Sequence, residues 1–282
     1  MGFGSYSVVN ATNNIASNSY KTKSVREVFT QRHVVNAMSP YGLTFRESRD
    51  SAEHPNSVPI ILGLDVTGSM GSVPHYLIAN SLPKIMGKIM QAGEKDPQVM
   101  FVAVGDHECD TSPLQVAQFE SSDELLDKWL KQVYLESGGG GNDGESYLLA
   151  WYLAANHTKI DSFEKRGRKG LLFTIGDEPT LKELPSNTIK NLVGNGDFKT
   201  KTAAELLDEA SKLYEVYHIH VNFTGAGRDQ RTQRGWKELM GDRVLFANDQ
   251  DQIANLIADT VIKHSTKTSS STEKTTDEQE IL

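Results

Sequence analysis

From residue 58 to residue 264 the chain repeats one alternation: a short apolar run, then a longer stretch with apolar residues at helical spacing. Val58-Pro59-Ile60-Ile61-Leu62-Gly63-Leu64 opens the series. A run with no polar break suits a strand buried on both faces, because a half-exposed strand would alternate. Val73, Leu77, Ile78, Leu82, Ile85, Met86 and Ile89 then recur at helical spacing, with Ser72 as cap, Pro74 in the first turn and Pro83 as a kink. Val99–Val104 and Leu171–Ile175 read as further buried strands, and Val216–Phe223 and Val244–Phe246 as later ones. Leu114–Phe119 alternates and reads as a half-exposed edge strand. Helices are expected over 121–134, with Ser121 and Glu124 as a capping box, and over 147–156, 201–213, 230–240 and 249–263. Strands alternating with helices dictate an α/β, doubly wound fold. Its sheet is six-stranded and mostly parallel, with one antiparallel edge strand and helices on both faces.

The flanks behave differently. Residues 1–57 are rich in Ser, Asn and Thr without a sustained period, and read as an extended polar arm with a short helix or strand around 25–37. Residues 265–282 are too poor in apolar side chains to order themselves and read as a disordered tail. The chain divides into this arm, an α/β domain at 58–264 and the tail. A single cysteine, Cys109, excludes an internal disulfide and suits a reducing compartment, so a cytoplasmic location is expected. No apolar run is long enough to span a bilayer, and no secretory signal is visible. A formal net charge of −8 argues against a general nucleic-acid surface, which needs a basic footprint.

Ligands of open α/β sheets bind beyond the carboxyl ends of the strands. The first strand ends in Asp65-Val66-Thr67-Gly68-Ser69-Met70-Gly71, which places one carboxylate and two hydroxyls across a tight turn. All three offer hard oxygen, the donor type that suits magnesium. A later strand ends in Ile175-Gly176-Asp177-Glu178, and the loop Gly138–Glu145 carries Asn142, Asp143 and Glu145 into the next helix. Three stretches of chain thus bring oxygen to one edge.

Asp65-x-Thr67-x-Ser69, the loop 138–145 and Asp177 resemble the metal-ion-dependent adhesion site of the von Willebrand factor type A family, in a prokaryotic or phage-like form. The resemblance covers roughly 58–264 and implies a Rossmann-like fold. In that family the first motif is Asp-x-Ser-x-Ser, a loop Thr supplies the second element and a strand-end Asp the third. Here Thr67 replaces the first Ser and keeps the hydroxyl. The loop has no Thr, so Glu145 first and Asp143 second stand as replacements, with Asn142 a further alternative. The resemblance implies Mg2+ (or Mn2+ or Ca2+) held by Asp65, Thr67, Ser69, Asp177 and Glu145 or Asp143. It further implies a coordination position open to an Asp or Glu side chain of a protein partner. The module would then dock proteins and catalyse nothing.

Each feature has a plainer reading. Asp65, Thr67 and Ser69 would also serve as a capped turn, Asp177 as a turn residue before Pro179, and Asp143 and Glu145 as acids at a helix N-terminus. Asp106-His107-Glu108-Cys109-Asp110 reads first as solvated loop and otherwise as a lining of the same edge; His107 and Cys109 alone are too few for structural zinc. The basic run Lys165–Lys169 precedes a strand, so it belongs to the opposite edge, and reads as solvated loop before phosphate contact. Tyr147–Leu153 reads as core. Thr67 stands where a haloacid-dehalogenase-like phosphatase needs its second Asp, and the P-loop, nucleophile-elbow and dinucleotide-turn patterns are missing. Two other classes remain: an assembly scaffold, homo-oligomeric through the arm, in which the metal only stiffens loops, and a metal-dependent hydrolase.

Overall fold

The computed structural model describes residues 22–135, 142, 144–194 and 196–277, with side chains throughout except at 78, 83, 123 and 267–277. In chain order the strands are β1 Arg46–Ser48, β2 Val58–Asp65, β3 Pro97–Val104, β4 Leu114–Val116, β5 Thr158–Ile160, β6 Gly170–Gly176, β7 Glu183–Leu184, β8 Lys201–Thr202, β9 Tyr214–Val221 and β10 Val244–Ala247. One mixed sheet runs β10-β9-β6-β2-β3-β4, parallel throughout except for the antiparallel β3–β4 pair. The apolar runs became strands for the reason their composition gave: β2, β3 and β6 are buried along their whole length.

Alternate residues of β2 serve opposite faces. Leu62 and Leu64 pack with Leu82, Ile85 and Ile257 from the helices Leu82–Gln91 and Gln250–Asp277. Gly63 points the other way, where a Cβ would stand 3.2 Å from that of Ala150. Lacking one, the strand lets the helix Leu148–Asn156 lie close, and that helix is buried from Leu148 to Ala154. Among the described residues no helix is long and apolar enough to cross a membrane.

Several local expectations are corrected. The edge strand β4 is buried, not half exposed. Gln115, the polar residue of its alternation, is sealed in by a reciprocal pair with Tyr134, donating from Nε2 to the Tyr134 carbonyl (2.7 Å) and accepting its N–H (2.9 Å). The helix expected at 121–134 spans Asp123–Leu130 and is capped by Ser122, one residue later than the capping-box pattern suggests. Ser72 makes no side-chain cap. The break at Pro83 takes the form of a π turn at Leu77–Ser81, a wider coil that accommodates the missing N–H. The last helix runs to Asp277, so backbone read as tail from residue 265 is helical to that point; residues 278–282 lie outside the described residues.

The described part of the arm, 22–57, folds onto its own domain. It contains the short helix Val25–Val28 and a 3-10 turn at Asn36–Met38. Met38 is fully buried, and Arg46 donates to the Val116 carbonyl of the edge strand (3.1 Å). β1 pairs in parallel with β5. Arg49 bonds Asp161 and Glu164 (2.6 Å each), and Asp161 also accepts the Asp50 N–H (2.9 Å). The basic run 165–169 is used here rather than solvated: Lys165 pairs with Asp161 (2.7 Å), Arg166 with Asp50 (2.6 Å), and Arg168 with Glu94 (3.0 Å). Residues 1–21 lie outside the described residues.

Asp161 is therefore the bolt of the arm, and Asp161→Ala should cost about 1–3 kcal/mol in chemical denaturation and open residues 22–57 to limited proteolysis. Acid should act on the same joint. Burial raises the Asp50 carboxyl, but Arg166 and Ser57 outweigh it and hold it down to about 2. A depressed carboxyl lends stability that is complete above about pH 4 and lost as pH falls toward about 2. Protease sensitivity of the arm should rise across that window, and sensitivity unchanged between pH 5 and pH 2.5 would contradict the assignment.

Candidate cation site at the sheet edge

β2 and β6 are neighbours with Leu64 opposite Ile175, so Asp65 at the end of one strand meets Asp177 just past the end of the other. The chain leaves β2 toward β3 and leaves β6 toward β9, in opposite directions along the sheet. A crevice between such diverging connections is where open α/β sheets bind ligands.

A row of close polar contacts crosses this crevice, in which the Thr67 and Ser69 hydroxyls each donate to a carboxylate. Asp65 Oδ1 accepts the Thr67 N–H (2.9 Å) and the Thr67 hydroxyl (2.6 Å). Thr67 Oγ1 lies 3.2 Å from Ser69 Oγ, and Ser69 Oγ donates to Asp177 Oδ1 (2.9 Å). Asp65 and Asp177 are fully buried, Thr67 is buried, and Ser69 is exposed, so the row opens to solvent at Ser69. On the inner side Tyr147 donates its hydroxyl to Asp65 Oδ2 (2.7 Å).

The loop leading to Tyr147 joins the same edge. Glu145 donates its N–H to the Pro179 carbonyl and accepts the Leu181 N–H on its own (2.9 Å each), which fastens it beside the Asp177 turn. Its carboxylate is nearly buried, and among the described residues Glu145 Oε2 has no hydrogen-bond partner; the same is true of Asp177 Oδ2. Asn142 bonds Glu108 (2.8 Å). Asp143 and Gly138–Gly141 lie outside the described residues. The segment 105–110 does both: Gly105–His107 line this edge, with Ser146 donating to the Gly105 carbonyl (3.1 Å), the His107 N–H bonding Ser146 Oγ (2.8 Å) and Asp106 buried, while Glu108 and Cys109 are solvated. Cys109 is exposed, its thiol pushed up to about 11 by the adjoining Asp106.

Burial pushes the Asp65 carboxyl up to about 7, against its Thr67 and Tyr147 donors and with help from Asp177. Burial pushes Glu145 up to about 9, with Asp65 and Asp106 adding repulsion. These are acids held where water cannot compensate their charge. Among the described residues no three His, Cys, Asp or Glu side chains converge closely enough to hold a metal alone. The two hydroxyls are needed to complete a set with Asp65 and Asp177. Hard oxygens around buried carboxylate atoms that lack donors fit a hard cation such as Mg2+.

Sequence reasoning missed Tyr147, which it assigned to the core. The ring is indeed fully buried, packing edge-on against His218 and Trp236. Its hydroxyl is the part that reaches Asp65, and the one hint was its place at the start of the apolar stretch directly after a polar loop.

No protein-family model matches the chain, and no curated protein matches it in sequence. Among solved structures it is similar to the von Willebrand factor domain of the type V pili tip protein Mfa5 from Porphyromonas gingivalis, with a TM-score of 0.51, 10% identity, and coverage of 75% of this chain and 96% of that one. It is also similar to the pilus adhesin SpaC from Lactobacillus rhamnosus GG in its open conformation (TM-score 0.49, 12% identity, 76% of this chain). This chain spans about a third of the adhesin's length, 31%. The first of these likenesses establishes the von Willebrand factor type A fold.

The raised acids set a pH dependence. Between about pH 4 and their folded values, Asp65 and Glu145 hold more protons folded than unfolded, so stability declines as pH rises across that window. In chelator the thermal midpoint should fall from about pH 5 to about pH 9, and Glu145→Gln should flatten the upper part of the fall. A Glu145→Gln curve parallel to wild type throughout would remove Glu145 as its source.

Proposed function

We propose that the domain is a divalent-cation-dependent protein-docking module, and that Ser69, Thr67 and Asp177 hold the cation, with Asp65 behind them. The observation that carries this reading is the Ser69–Asp177 hydrogen bond between two strand ends, which leaves Asp177 Oδ2 buried without a donor among the described residues. A buried carboxylate oxygen in that state is costly unless something electropositive reaches it. Mg2+ is the first choice, with Mn2+ or Ca2+ as stand-ins. Glu145, whose Oε2 is also without a donor, is the favoured loop contributor, and Asp143 the second.

When bound, the cation supplies one coordination position that a partner's Asp or Glu carboxylate can fill. The residues of the chain do the rest. Thr67 and its N–H hold Asp65 in place, Ser69 presents its oxygen at the solvent mouth, and Asp177 anchors it from below. The reading is non-enzymatic. A Ser–His contact does occur at this edge, Ser146 Oγ to His107 Nδ1 at 2.8 Å, but Ser146 is fully buried and cannot meet a substrate. The fold shared with a pili tip protein's domain is compatible with a binding role.

The test is cation titration of the purified chain, followed by affinity capture with Mg2+ and with chelator in parallel. Ser69→Ala and Asp65→Ala should each weaken cation binding at least about tenfold, as loss of a ligand or of its support does, and abolish cation-dependent capture while circular dichroism stays native. Identical capture in chelator would defeat the docking role. A cation that raises the thermal midpoint without affecting capture would favour the scaffold reading instead.

A further inference from the structure

Tyr147 occupies a place built for its hydroxyl. It donates to Asp65 Oδ2 at 2.7 Å and lies 3.4 Å from the Glu178 N–H, which points to it from the turn just after Asp177. One oxygen atom thus touches both strand-end segments that make up the site. The space it fills exists only because residue 176 is glycine: a Cβ there would overlap the hydroxyl oxygen of Tyr147. The ring is held on its other sides by His218 and Trp236, with centroids 5.2 and 5.5 Å away, and Trp236 in turn donates to the Glu178 carbonyl (2.9 Å). Glu178 is therefore gripped at its N–H by the tyrosine and at its carbonyl by the tryptophan.

Asp65 gains what it otherwise lacks. Its Oδ1 takes both donors of Thr67, and Tyr147 is the donor to Oδ2. Without the phenol, a buried carboxylate would keep one oxygen unpaired and be free to turn about its Cβ–Cγ bond. The Thr67–Ser69 turn that hangs on Oδ1 would turn with it.

We infer that Tyr147 is a positioning residue of the cation site, acting through Asp65 and the Glu178 backbone to fix the spacing of Ser69 and Asp177. The inference rests on the cation-site reading above. It concerns a residue that touches neither cation nor partner, and its signature is a loss of cation affinity out of proportion to any loss of stability.

The experiment titrates Mn2+ alone into the full chain by calorimetry and records the thermal midpoint in chelator. It compares wild type, Tyr147→Phe, Gly176→Ala and Leu149→Ala. Leu149 is fully buried in the helix that Tyr147 leads into, and its aliphatic side chain makes no hydrogen bond. Tyr147→Phe keeps the ring and should raise the Mn2+ dissociation constant about tenfold or more, the usual cost of removing a partner that orients a ligand. Gly176→Ala, which displaces the hydroxyl without altering it, should do the same. Leu149→Ala should lower the midpoint at least as far as Tyr147→Phe yet leave Mn2+ affinity within about twofold of wild type. If Tyr147→Phe binds as wild type does, or if Leu149→Ala loses affinity equally, the positioning role is overturned while the cation site stands. If wild type binds no Mn2+, both fall together.

Discussion

Two carboxylates buried side by side repel each other and resent the loss of water, and this edge of the sheet is organised around keeping Asp65 and Asp177 there anyway. Their proximity follows from register: with Leu64 opposite Ile175, the residue ending β2 and the residue just past β6 cannot avoid one another. What makes the arrangement tolerable is the line of donors threaded between them, from Thr67 through Ser69 on the solvent side and from Tyr147 on the inner side. The compensation is incomplete. Among the described residues Asp177 Oδ2 and Glu145 Oε2 remain without donors, and burial pushes the Asp65 carboxyl up to about 7. An incompletely satisfied buried polar group is unusual enough to require a cause, and the proposed cation would supply one.

The same economy explains where glycine appears. At Gly63 and Gly176 the sheet gives up side chains so that one helix can sit close. At Gly63 the helix Leu148–Asn156 approaches through Ala150; at Gly176 the residue before that helix, Tyr147, reaches over the strand to Asp65. A helix that approached less closely would carry Tyr147 away from the carboxylate. Packing on one face of the sheet and polar geometry at its end are therefore one constraint expressed twice.

Much of this was legible in the chain and some was not, for physical reasons. The strands that are buried along both faces announce themselves, because a short uninterrupted apolar run rich in branched side chains, such as Val58–Leu64, suits them better than a helix. The acids at their ends were legible for the same reason, since the run fixes where the strand stops. Short segments gave no such signal. β5, with three residues, and β7 and β8, with two each, are too brief for a period to appear. Alternation misled at Gln115, because a polar side chain can be buried when backbone groups such as those of Tyr134 receive it. Tyr147 was hidden by its own dual nature: a ring that belongs to the core and a hydroxyl that belongs to the site look identical in a hydropathy pattern.

The arm and the site are coupled through one strand and yet kept apart by it. Ser57, bonded to Asp50 in the arm's joint, immediately precedes β2, and Asp65 ends it. Seven residue steps of extended chain separate the two ends by about 23 Å. At that separation a pair of unit charges interacts by only about 0.7 kcal/mol at an effective dielectric constant of about 20. A strand buried on both faces is also the stiffest link available between them. The ion pairs around Asp161 can thus set how firmly residues 22–57 cover the sheet edge at β4 without shifting the carboxylates at the far end. Placing the acid-sensitive pairs at one end of β2 and the buried acids at the other lets the chain anchor its extension with charge at a distance from the carboxylates Asp65 and Asp177.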